Sequence, residues 1–160
     1  MGRMYTAVID AIALTADTEL IMLEAATNTV LKIHEVKMTQ DSSVTSAQLK
    51  FMCYKTSTAA STRGDAGTVN PVNSGDPAFL GTCRQLIETV DGFSAEAAQI
   101  WAESQNALNG LHILPTPEGQ PEISGGEGFT VRLETAISLT WSGWILFEEL
   151  GKTAVPANPL

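Results

Sequence analysis

Short runs of alternating apolar and polar residues, separated by turn-forming residues, recur along most of the chain. Period-two alternation places successive side chains on opposite faces of an extended strand, so a chain built this way buries one face of each run against another sheet. The clearest run is 129–135 (FTVRLET), where Phe129, Val131 and Leu133 alternate with Thr130, Arg132 and Glu134. Residues 46–56 (SAQLKFMCYKT) set Leu49, Phe51 and Cys53 on one face, with Lys50, Met52 and Tyr54 on the other. Residues 4–14, apolar and rich in β-branched positions, and residues 79–89, 111–114 and 138–149 also read as strands. In 138–149, Leu139, Trp141, Ile145 and Phe147 share a face, with Gly143 between them.

Turn signals bound these runs: Thr27-Asn28, Asp91-Gly92 and Asn109-Gly110, then Pro115 and Pro117. In 29–39 (TVLKIHEVKMT), Leu31 and Ile33 fall out of phase with Val36 and Met38, which predicts a bulge. Residues 18–38 also contain good helix formers, but Thr27-Asn28-Thr29 interrupts the helical period, and Val30, Ile33 and Val36 favour two strands. Ser94 followed by Ala-Glu-Ala-Ala resembles a helix N-cap and predicts a short helix near 94–102. Residues 57–77 hold almost no large apolar side chain and read as a loop of about twenty residues, either an arm towards a neighbour or a surface loop.

About eight or nine strands at regular spacing, without a βαβ rhythm, give an all-β, mainly antiparallel sandwich or jelly roll. A chain of 160 residues suits one domain, assigned to 1–151, followed by a Pro-rich polar tail at 152–160.

Composition narrows the function classes. Charged residues are 17% of the chain, against about 25% in a typical soluble domain. Such a surface loses little solvation when a partner covers it. Net charge is −9, and the nine Lys and Arg residues are scattered, so no basic stripe exists to track a phosphate backbone or an anionic membrane. Neither a nucleic acid nor a membrane is an expected partner. Met1-Gly2-Arg3-Met4 opens no signal-peptide apolar region, and no run approaches the roughly 20 apolar residues of a membrane span. A cytosolic origin follows as the expectation, with Cys53 and Cys83 as buried thiols and a bond between them left open.

The residues of reactive chemistry lack their contexts. His34 and His112 sit in strand-like runs without a motif. No G-x-S-x-G elbow occurs, and Ser124-Gly125-Gly126-Glu127-Gly128 lacks the Lys-Ser/Thr of a phosphate loop. The oxygen-rich stretch containing Asp65, Asn70, Asn73 and Asp76 matches no calcium-loop spacing, and the two cysteines match no zinc site. No catalytic residue, metal site or cofactor is therefore assigned, and the chain reads as a non-enzyme. Trp144 and Leu146 are the sharpest site-level signal, a large apolar pair on the face opposite Trp141 and Ile145. Met52 and Tyr54 are a second off-core pair. The loop adds Asn70, Pro71, Val72, Asp76 and Pro77 as candidate contacts.

The order of LKIHEVKMTQ (31–40), SAQLKF (46–51), NPVNSGDPAFLGT (70–82), LPTPEGQPEISGGEGFTVRLETA (114–136) and SGWILFEELG (142–151) resembles small tailed-phage virion proteins, including capsid decoration (cement) proteins. The resemblance implies a jelly-roll-like protein on the virion surface, made in the host cytoplasm. It implies a homotrimer that sits across contacts between major capsid subunits and reinforces them. The AAQIWAES run (97–104) departs from that pattern, being less β-like. A carbohydrate-binding or host-attachment module, with Trp101 or Trp144 as its platform, is the alternative on the same fold, as is a neck or tail component.

Overall fold

The computed structural model describes residues 2–14, 17–41, 47–57, 64–88, 96–134 and 138–151. These form twelve strands: β1 (Arg3–Leu14), β2 (Thr18–Glu24), β3 (Thr29–Gln40), β4 (Gln48–Thr56), β5 (Asp65–Ala66), β6 (Thr68–Pro71), β7 (Thr82–Glu88), β8 (Glu96–Asn106), β9 (Leu111–Ile113), β10 (Glu122–Ser124), β11 (Gly128–Leu133) and β12 (Leu139–Gly151). A single 3₁₀ turn, Pro117–Gly119, lies between β9 and β10.

All pairings are antiparallel, and the strands make two sheets. Sheet A runs β10-β3-β12-β1-β6, with β9 also paired to β3; sheet B runs β5-β7-β2-β11-β4-β8. The two pack face to face as a β-sandwich. Most connections pass from one sheet to the other, including β1–β2, β2–β3, β3–β4 and β11–β12, so neighbouring segments of sequence contribute to both layers.

One contiguous core fills the space between the layers. Tyr5, Ile9, Leu31, Ile33, Trp141, Ile145 and Phe147 enter from sheet A. Leu23, Phe51, Cys53, Phe129, Val131 and Leu133 enter from sheet B. Phe51 meets Trp141 across the layers edge to face, with ring centroids 5.2 Å apart. Gly143 keeps its place in β12 because a side chain there would run into the Lys37 carbonyl and Met38 of β3.

The bulge expected in 29–39 is present. β12 pairs Leu146 with Glu35 but Phe147 with Ile33, leaving His34 as the extra residue. That single insertion returns Leu31, Ile33, Val36 and Met38 to one buried face. A second bulge, at Asp10-Ala11 of β1, places Ala11 at φ 51° and lets Ile9 and Ile12 both reach the core.

Two expectations are corrected. The short helix near 94–102 is not formed where the chain is described: residues 96–106 are strand β8, while 94 and 95 lie outside the described residues. The alanines favour a helix, but pairing with β4 satisfies one edge of this backbone as strand and turns Trp101 onto the core. The stretch 57–77 is not one continuous loop. Its described part contains β5 and β6, which extend sheet B and sheet A respectively; residues 58–63 lie outside the description. Two- and four-residue strands at sheet margins bury little, so they carry little of the apolar pattern that reveals longer strands. The ambiguity over 18–38 resolves into the two strands β2 and β3, turning at Thr27-Asn28. The tail assigned to 152–160 lies outside the described residues.

Candidate protein-binding face

In β1 and β12, Tyr5, Ala7, Ile9, Ile145 and Phe147 face the core. Alternation therefore puts Met4, Thr6, Val8, Trp144, Leu146, Glu148 and Leu150 on the opposite side. Cross-strand partners share a face, and the register assembles these residues into rows. One row is Thr68, Val8, Trp144, Lys37 and His112; the next is Asn70, Thr6, Leu146 and Glu35. A third runs from Met4 through Glu148 and Lys32 to Glu122. Val72 continues the β6 pairing, its N–H donating to the Met4 carbonyl at 2.9 Å, and it is 55% exposed.

The outer face of sheet A thus carries an apolar stripe of Met4, Val8, Trp144, Leu146, Leu150 and Val30, each partly exposed, with Val72 at its margin. Polar and charged groups surround it and cross it, Glu148 and Lys32 lying between Leu146 and the Leu150–Val30 pair. His112 Nε2 lies 2.8 Å from Glu35 Oε1, and His34 Nε2 lies 3.5 Å from Glu148 Oε2. Gln120 Nε2 approaches His34 Nδ1 at 3.1 Å. Four strands at ~4.8 Å spacing, and six steps of ~3.3 Å from Trp144 to Leu150, give a face of roughly 14 by 20 Å, about 300 Å². The apolar residues hold about half of it, interleaved with Thr6, Glu35, Lys37, Glu148 and Lys32, a mixture of the kind found at protein contacts.

The nine candidate residues do not converge on one place. Trp144, Leu146, Asn70 and Val72 meet on sheet A's outer face. Pro71 pairs with Tyr5, beside that face. Asp76 and Pro77 lie in the turn after β6, where Asn73 Nδ2 donates to Asp76 Oδ2 at 3.3 Å. Met52 and Tyr54 belong to the outer face of sheet B, on the far side of the sandwich. Met52 is buried there, as are Met22, Ile87, Thr130 and Glu19, and the Tyr54 hydroxyl lies 3.0 Å from Met52 Sδ.

The segment after β6 is docked on its own domain. Phe79 packs against Tyr5 and Phe147, with centroids at 5.7 and 5.1 Å. The Tyr5 hydroxyl donates to the Pro77 carbonyl at 3.0 Å, and the Leu80 N–H donates to Glu149 Oε1 at 3.3 Å. Glu149 is 3% exposed, and burial pushes its carboxyl above the ordinary glutamate value, opposed by the Leu80 amide and by Arg3. Sequence reading missed this carboxylate, although Glu149 shares the parity of Ile145 and Phe147 and so falls on the core side of β12.

Cys53 and Cys83 are free and buried. They lie on β4 and β7, three strand spacings apart in sheet B, or ~14 Å, too far for a disulfide. Burial pushes the Cys83 thiol up to about 12 and the Cys53 thiol higher still, so neither is a ready nucleophile. Among the described residues, no three His, Cys, Asp or Glu side chains gather as a metal site, and no helix is long and apolar enough to cross a membrane. Comparisons with protein families, characterised proteins and solved structures find no significant match to this chain.

Proposed function

We propose that this chain is a structural subunit that binds other protein chains through the outer face of sheet A, and that it serves as a decoration protein of a tailed-phage capsid. In this reading it sits as a homotrimer across contacts between major capsid subunits. The observation that carries the protein-binding reading is the apolar stripe around Trp144 and Leu146, rimmed by charge and hydrogen-bonding groups. Interface cores have that anatomy. The sequence resemblance supplies the capsid.

Magnitude explains why such a subunit would act in multiple copies. At most about half of the ~300 Å² face is apolar, and ~150 Å² at ~25 cal/mol per Å² gives ~4 kcal/mol, an upper bound because the side chains already shield one another. Association costs about 4–15 kcal/mol, so one face alone binds weakly. Three linked faces engaging a repeating lattice gain by effective concentration.

A sugar-binding module remains the second reading, resting on Trp144. The other platform candidate, Trp101, is turned edge-on to Phe129 with centroids 6.1 Å apart. Sheet A's aromatic surface is thus one ring within an aliphatic stripe, which suits a protein partner better than a sugar.

Two measurements test the proposal. Light scattering after size exclusion predicts a trimer at micromolar concentration; a strict monomer removes the trimer claim. Cosedimentation with empty shells of a cognate major capsid protein predicts binding that Leu146→Asp weakens at least about tenfold, the factor set by ~1.4 kcal/mol. Undiminished binding by that variant overturns the assignment of the face.

A further inference from the structure

Strand β8 is a sheet border of a different kind from the others. β5, β6, β9 and β10 span two, four, three and three residues, and Pro71, Pro115 and Pro121 lie in or near three of them. The second half of β1 is broken by its bulge. β8 runs for eleven residues without Lys, Arg or Pro, which often keep an edge from pairing, and beyond its own bulges at Ala97 and Ile100 residues 101–106 pair with β4 in unbroken register. Among the described residues it pairs with β4 alone. Ala98, Gln99, Ala102, Glu103 and Ser104 are exposed. Along that regular stretch every second residue turns its backbone N–H and C=O outward, ready for another strand.

The border also opens onto a groove. Trp101 and Glu103 lie opposite Cys53 and Phe51, both core residues, so they face the gap between the sheets. Across the gap are β9 and Leu114. Together Ile100, Trp101, Glu103, His112, Ile113 and Leu114 enclose about 530 Å³, within the ~300–1,000 Å³ range of binding clefts. Trp101 against Phe129 forms an apolar floor, and Leu114 is left 70% exposed at the rim. The acidic group in this lining is Glu103; His112 already engages Glu35. A second copy of this border would bring its own Glu103 to the same groove, so charge disfavours pairing of β8 with itself.

We propose that the β8 border and its groove accept an extended segment of another protein that carries a lysine or arginine among apolar residues. The segment adds to sheet B as an extra strand, sets apolar side chains on Trp101, Ile113 and Leu114, and brings its cation to Glu103. Strand addition of this type draws affinity from the main chain and specificity from alternate side chains. This contact is separate from the outer face of sheet A and shares with the proposed function only the premise of a protein partner.

The test uses the full chain and two capped heptapeptides, one alternating lysine with valine and one alternating glutamate with valine. Amide NMR titration predicts that the lysine peptide shifts residues of β8 and β9 and binds at least about tenfold tighter than the glutamate peptide. Glu103→Lys, at an exposed position, reverses that order, and Leu114→Asn weakens the lysine peptide without changing the order. Shifts spread over the acidic surface, or an order unchanged by Glu103→Lys, overturn the proposal. Because Leu146→Asp reports on the other face, failure here leaves the sheet A reading standing.

Discussion

Removing the Phe79 ring separates a pinned segment from a free arm. Phe79 contacts Tyr5 at 5.7 Å and Phe147 at 5.1 Å, and it is only partly buried. Two aromatic contacts at about 0.5–1.5 kcal/mol each, plus the partial burial, put Phe79→Ala at about 2–3 kcal/mol of lost stability. Phe147 lies in the same cluster but is fully buried, so Phe147→Ala falls in the larger range of ~3–5 kcal/mol. The double variant should lose less than the sum by about 0.5–1.5 kcal/mol, because the shared contact is counted once. Urea unfolding followed by tryptophan fluorescence measures all three. In a chain of 160 residues the Phe79 loss also lowers Tm by about 4–12 °C. If Phe79→Ala lies within ~0.5 kcal/mol of wild type, a typical surface effect, or if the two substitutions add fully, the ring does not hold the segment and the reasoning fails.

Other predictions follow from particular side chains. Both thiols should be silent towards a disulfide reagent at pH 8 in the folded protein and titrate fully in denaturant, since burial raises both; fast native reaction of either contradicts that. Glu149 is raised on folding, so the folded state holds its proton more tightly than the unfolded chain. Its contribution is present below the ordinary glutamate value and is lost as pH rises through the folded value; Glu149→Gln should flatten that part of the stability–pH curve, and an unchanged slope rules the carboxyl out as its source. Gly143→Val should cost about 1–3 kcal/mol in the same urea assay, by forcing β12 away from the Lys37 carbonyl; a neutral effect contradicts the packing of β12 on β3.

The long strands were legible because each buries one complete face. Phe129, Val131 and Leu133 alternate in sequence and point together into the core. Even the bulge at His34 showed itself, as a phase change between Ile33 and Val36. Burial on sheet B's other face did not show. Thr130, Glu19 and Met52 are buried there, with the Thr130 hydroxyl donating to the Ile21 carbonyl at 3.2 Å, and polar residues in an alternating run give no sign of whether their face is covered. β8 was hidden for the opposite reason. A border strand with bulges at Ala97 and Ile100 has a disturbed alternation, and its alanines imitate a helix. Of the candidate contacts, Trp144 and Leu146 were readable from parity alone, but their union with Asn70 and Val72 depends on β6 pairing with β1, a contact more than sixty residues distant in the chain.

Binding through the outer face of sheet A is what hydroxyl-radical footprinting reads most directly. Met4 and Trp144 are reactive reporters within that face, while Trp141, buried in the core, is an internal control. Oxidation of Met4 and Trp144 should drop severalfold when the protein is bound to capsid shells, with Trp141 slow in both states. Equal oxidation of Met4 and Trp144 in the free and bound protein, with protection falling elsewhere, would contradict it.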